Sequence, residues 1–157
     1  MINKAYLALG SNIGDREYYL NKAIEMIDNV TDIEVSQIAS FMNSKAETPV
    51  EQADYLNSVI EISTLLSARE LFGKTLAIEK ELGRTSKGNV EPRTIDIDIL
   101  FFNDDIILED DLIIPHPLLH QRHFVLDPLS EIAPEYEHPL LGQTVELLRQ
   151  SVTVIHK

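Results

Sequence analysis

"PRTIDIDILFF", residues 92–102, is the stretch on which the reading of this chain turns. From Thr94 to Ile99 polar and apolar residues alternate, the period of a β-strand with two unlike faces. Ile95, Ile97 and Ile99 share the face expected in a core. Thr94, Asp96 and Asp98 share the other. Two carboxylates at this spacing repel each other unless a cation sits between or above them. Taken alone, the pattern also fits the solvated face of any antiparallel strand. The preceding segment, "RTSKGNVEPR" (84–93), brings Arg84, Lys87 and Arg93 close in sequence. Hard cations such as Mg²⁺ bind through one or two carboxylates together with substrate phosphates. Arginines grip phosphate with a planar fork of donors. Carboxylates for metal beside arginines for phosphate point to phosphoryl transfer. "GSNIGDRE" lacks the Gly-Lys-Ser/Thr ending of a P-loop, so that route to phosphate binding is excluded.

Working outward, "KAYLAL" (4–9) reads as a buried strand and "GSNIGD" as the loop after it. A helix over 15–27 follows, with Leu20, Ala23, Ile24 and Ile27 on its apolar face. "DIEVSQIASF" (32–41) and "YLNSVIEIST" (55–64) read as strands, separated by a long polar loop over 42–54. Ser67 and Glu70 form a capping box for a second helix, which Gly83 stops. "NDD" (103–105) reads as a tight turn into "IIL", so the aspartate strand is expected to form a hairpin with that segment. Residues 113–134, punctuated by prolines, are expected to hold short helical turns. "TVELLRQ" (144–150) reads as a final short helix capped by Thr144. The order βαββαββ with short turns predicts an α+β fold, ferredoxin-like, with a mostly antiparallel sheet and helices packed on its faces.

The chain has 157 residues, expected as one domain over 1–157, and 44% of them are hydrophobic, which excludes a disordered chain. The 26 acidic against 13 basic residues, a formal charge of -13, argue against nucleic-acid binding. No apolar run is long enough to cross a membrane and no signal-peptide pattern opens the chain. With no cysteine there is no disulfide, thiolate metal site or cysteine nucleophile, which suits a cytoplasmic location.

Five blocks occur in order: "AYLALGSNIGDR" (5–16), "DYLNSV" (54–59), "ELGR" (81–84), "PRTIDIDILFF" (92–102) and "IPHPLLHQRHFVLDPL" (114–129). Together, over nearly the whole chain, they closely resemble the hydroxymethyldihydropterin pyrophosphokinases of folate biosynthesis. The resemblance implies transfer of a pyrophosphoryl group from ATP to the pterin hydroxymethyl oxygen, with AMP leaving. It implies two Mg²⁺ ions held by Asp96 and Asp98, and Arg84 and Arg93 on the triphosphate. Glu79, His116 and Arg122 match positions near ATP. Gly10, Ser44, Tyr55, Asn57 and Phe124 match positions around the pterin. The resemblance also implies a monomer whose partners are those two small substrates.

Each residue has a plainer reading. Arg84 and Arg93 also read as solvated loop charges, Glu79 as a solvated helix face, Phe124 as core, His116 as structural and Gly10 as a turn. Asn57 is the least at home, because asparagine is disfavoured inside strands, while its amide matches the edge of a pterin ring. The chain departs from the family in two loops. Residues 43–49 read "NSKAETP", and Val90 and Glu91 stand where an aromatic segment is common. Two other functions fit parts of the pattern: a nucleotide-sugar glycosyltransferase, which needs a larger domain, and a regulatory domain that binds without turnover.

Overall fold

A computed structural model describes residues 2–45, 53–83 and 94–155, without the side chains of 153–155. Arg84, Arg93, the rest of the 84–93 segment and most of the 43–49 loop therefore lie outside the described residues. β1 (Asn3–Ser11) and β4 (Tyr55–Thr64) form the interior of a five-stranded sheet, in the order β2-β4-β1-β5 with β3 also on β4. β2 (Ile33–Ile38) and β3 (Met42–Ser44) share the outer edge of β4, β2 along Ile60–Thr64 and β3 along Tyr55–Asn57. The Ala39 N–H donates to the Val59 carbonyl in the gap between them. β5 (Asp96–Phe102) lies on the other side of β1, and every pairing in the sheet is antiparallel.

Both sheet faces are covered. α1 (Arg16–Asp28) and α2 (Ala68–Glu81) pack Leu20, Ile24, Ile27, Leu71 and Ile78 against Leu7, Ile60, Ile62, Ile97 and Ile99. On the opposite face, α3 (His123–Ile132) and α4 (Val145–Ile155) pack Val125, Leu126, Leu129, Val145 and Leu148 against Tyr6, Val59, Leu100 and Phe101. A bulge in β5 puts the consecutive Leu100 and Phe101 on the same face, with Ile99 and Phe102 on the other. Leu7 pairs with Ile99 and Tyr6 with Phe101, so Leu100 is an extra residue that resets the alternation. Without it Phe101 would follow Ile97 and Ile99 onto the first face.

Helix starts follow the sequence closely. Asp15 caps α1 by accepting from the Tyr18 N–H, and Ser67 and Glu70 form the expected capping box on α2. Gly83, at φ 104°, ends α2 in a conformation that favours glycine.

Other expectations need correction. The 42–54 stretch is not all loop, since its first residues are β3; three residues at a sheet edge are too few to show an alternation. The aspartate strand forms no hairpin with the segment after it. β6 (Ile107–Glu109) instead pairs with β7 (Leu112–Ile114) in a separate two-stranded sheet, while β5 meets Glu79 at its Ile97 N–H and the His116 N–H at its Leu100 carbonyl. At the turn, Asn103 binds back to Lys4 through both its N–H and its side-chain oxygen. The proline-rich segment holds a single 3-10 turn (Leu119–Gln121) and then the ten-residue α3, with Pro128 inside it. The last helix runs on to Ile155.

Two buried ionisable groups are fully tied into the scaffold. Burial alone would raise the Glu61 pKa, but bonds from Ser36, Tyr6 and Gln37, with Lys4 nearby, outweigh it and hold the carboxyl below its usual range. His138 is buried, and its Nδ1 accepts from the Leu140 and Leu141 N–H groups, both at 3.1 Å. Burial, then the neighbouring His120, keep its pKa below the ordinary value. A group depressed in the folded state stabilises the fold above its ordinary pKa, about 6.5, and that contribution is lost as pH falls through the folded value. Thermal unfolding is therefore expected to show Tm falling once pH drops below about 6.5. His138→Asn, which keeps an acceptor near Nδ1 and cannot titrate, should remove that part of the slope. An unchanged slope in the variant would assign it to carboxylates instead.

Candidate active site

Register places the aspartates. Gly10 pairs with Asn57 on one side and Asp96 on the other, and Ala8 pairs with Val59 and Asp98. Directly opposed residues of antiparallel strands project to the same face. Asn57, Gly10 and Asp96 therefore form one row across that face, and Val59, Ala8 and Asp98 the next. The backbones of Asn57 and Asp96 stand two strand spacings apart, roughly 10 Å. Between them β1 offers no more than a hydrogen and a methyl group. The result is a shallow trough with an amide on one wall and two partly exposed carboxylates on the other.

The Asn57 wall is tightly specified. Its Nδ2 donates to Ser44 Oγ at 2.7 Å and to the Met42 carbonyl at 3.2 Å, so β3 orients the amide. A Cβ on Gly10 would lie 3.3 Å from Asn57 Oδ1 and 3.3 Å from Tyr55 Cδ1. The glycine is thus a close-approach position, and a turn residue only by sequence context. The structure brings Tyr55, Asn57, Ser44 and Gly10 together.

α3 closes the same face from its N-terminus. It packs on β3 and β4, and Phe124, Ala8 and Val59 belong to one apolar cluster. The Arg122 guanidinium lies 5.5 Å from the centre of the Phe124 ring, within cation–π range. Phe124 is thus partly core, with the partly buried Arg122 beside it. His116 follows the cis Ile114–Pro115 peptide. Its N–H donates to the Leu100 carbonyl at 3.0 Å, which fastens the I-P-H-P turn to the bulge of β5, two residues from Asp98. Its Nδ1 accepts from the Leu118 N–H at 3.2 Å, so in the neutral ring the proton sits on Nε2.

Glu79 is not on a solvated helix face. It is 2% exposed and accepts from the Ile97 N–H at 2.7 Å. That N–H lies between the two aspartates, so α2 holds β5 at the residue that sets their direction. The sequence carries the signal only weakly, as a glutamate directly after the apolar position Ile78. Among the described residues no three acidic or histidine side chains cluster as a metal site, so Asp96 and Asp98 stand as a pair.

The family model for 7,8-dihydro-6-hydroxymethylpterin-pyrophosphokinase matches residues 6–134. A Bacillus subtilis 2-amino-4-hydroxy-6-hydroxymethyldihydropteridine pyrophosphokinase is 44% identical over 137 residues, 87% of this chain and 82% of that one. One of the same description from Aquifex aeolicus is 43% identical over 149 residues, covering 95% of this chain and 92% of its relative. Among solved structures, a Plasmodium falciparum HPPK-DHPS triple mutant superposes with a TM-score of 0.78 at 18% identity. That match covers 96% of this chain and 44% of the Plasmodium chain, and it shows the fold.

Proposed function

This chain belongs to the 7,8-dihydro-6-hydroxymethylpterin-pyrophosphokinase family, and on that premise we propose how its own residues divide the work. The reaction is transfer of pyrophosphate from ATP to hydroxymethyldihydropterin, a step of folate biosynthesis. The pterin hydroxyl oxygen gives up its proton and gains a bond to the β-phosphorus, the β-phosphorus loses its bond to the α–β bridging oxygen, and AMP leaves with that bond's electron pair. ATP is therefore a co-substrate.

The pterin lies over Gly10, its edge against the amide of Asn57 and its rings near Tyr55 and Phe124, with Ser44 behind the amide. Asp96 and Asp98 would hold two Mg²⁺ ions on the opposite wall. The residues present suit that ion: two hard carboxylates face one side, β1 leaves the space beside them clear, and substrate phosphates complete an oxygen donor set. Bound there, the ions would neutralise charge on the attacking and leaving oxygens. Arg84, Arg93, His116 and Arg122 take the triphosphate and nucleotide. Glu79 serves the nucleotide side by steadying the strand between the aspartates. The protein's own task is to set two substrates in line and keep them there. The cysteine-free composition supports a cytoplasmic setting.

The observation that carries this reading is the shared row of Asn57, Gly10 and Asp96, which separates an amide wall from a carboxylate wall by about 10 Å. The test is nucleotide release from ATP with and without reduced hydroxymethylpterin. AMP is expected only when pterin and Mg²⁺ are both supplied, and chelation of the metal should stop it. ADP in place of AMP, or AMP formed equally without pterin, would overturn the reading.

A further inference from the structure

Arg16 opens α1, where the positive end of the helix dipole disfavours a cation. Its guanidinium is directed at neutral oxygens. Nη1 donates to Asn43 Oδ1 and to the Asp54 carbonyl, each at 2.9 Å. These acceptors belong to two different segments, the middle of β3 and the residue before β4. Asn43 precedes Ser44, Asp54 precedes Tyr55, and Ser44 and Tyr55 are register partners. Asn12, buried in the same β1–α1 turn, donates from Nδ2 to the Ala53 carbonyl at 3.3 Å. One turn thus binds two successive carbonyls at the start of β4 and a side chain of β3.

The connection to the site is short. The Asn57 amide is oriented by Ser44 Oγ and the Met42 carbonyl, both on β3. β3 is only three residues long and, among the described residues, pairs with β4 alone, so contacts from outside the ladder help to fix its position. Arg16 supplies that support at Asn43, between the two residues that hold Asn57.

We propose that Arg16 is a positioning residue for pterin recognition. It locks β3 to the start of β4, and through them sets the Asn57 amide and the Tyr55 ring without touching the pterin. The inference rests on reading Asn57 and Tyr55 as pterin contacts. A guanidinium suits the task, because one planar nitrogen carries two N–H groups, one for each acceptor. An ammonium could recover part of the contact on a shorter stem.

The test uses Arg16→Met, which keeps the stem and loses the donors, Arg16→Lys, and Asn57→Ala as reference. KM for pterin and for ATP, kcat and Tm are measured for each from AMP release and thermal unfolding. Arg16→Met is expected to raise the pterin KM roughly tenfold, the loss of charge-assisted bonds to a positioned partner. The ATP KM and Tm stay at wild-type values, and Arg16→Lys recovers part of the loss. Equal rises in both KM values, an unchanged pterin KM, or a fall in Tm in step with the KM would overturn it. If wild type releases no AMP, or Asn57→Ala leaves the pterin KM unchanged, the reading of the site fails and the inference falls with it. If those controls behave and Arg16→Met matches wild type, the inference alone fails.

Discussion

Asp96→Ala is expected to lower AMP release by about a thousandfold or more, the scale of losing a group that stabilises transferring charge. Thermal unfolding should stay at the wild-type value or rise slightly. Asp96 and Asp98 are one strand repeat apart on the same face, and removing one of two like charges relieves repulsion in the absence of metal. Neither side chain belongs to the apolar clusters that hold the sheet. Asp98→Ala should behave in the same way. Because the carboxylates are read as metal holders, the loss should appear in kcat and in the Mg²⁺ concentration needed, with the pterin KM little changed. Near-wild-type turnover by either variant would end the metal assignment.

Phe101→Ala should do the reverse. Phe101 is 1% exposed and packs edge-on against Tyr6, with ring centres 6.4 Å apart, and against Tyr136 and His138 at 4.7 and 5.5 Å. Truncating a buried phenylalanine removes its transfer energy and leaves a cavity, together about 3–5 kcal/mol. For a chain of this size that is a Tm lower by roughly 10 °C or more. Turnover well below the new Tm should remain, because Phe101 lies beyond the bulge from Asp98 and contributes no polar group to the trough. Denaturant unfolding and kcat at low temperature test the two halves separately. A stability loss under about 1 kcal/mol would mean that the Tyr6–Tyr136 cluster collapses into the gap.

The contrast between these variants follows from one strand whose parts were unequally legible. The face shared by Asp96 and Asp98 follows from period-two alternation, and the structure has them on one face as expected. Residues 99–102 are all apolar, so no alternation could say which way Phe101 points. That was decided when β5 met β1 with one residue to spare. The capping box of α2 and the apolar stripes of α1 and α2 were equally legible, being interactions within four residues. β3 and the β6–β7 pairing were not. Three-residue strands carry almost no periodic signal, and their partners are set by whichever edge remains open.

The candidate site divides in the same way. Asn57 drew notice because an amide is out of place in a strand, and the two aspartates because like charges sit together. Glu79 was legible only as a helix residue with a family match, and its burial against the Ile97 N–H depends on how α2 crosses β5.

By itself the sequence determined the local elements, the two faces of the aspartate strand, and the motif blocks that mark the family. Those are properties of neighbours along the chain, where periodicity and capping act. Only the tertiary structure decided that Asn57, Gly10 and Asp96 stand in one row, that Leu100 bulges, and that Arg16 holds β3 to the start of β4. Each of these depends on register between segments distant in sequence, and register is set by burying two apolar faces at once.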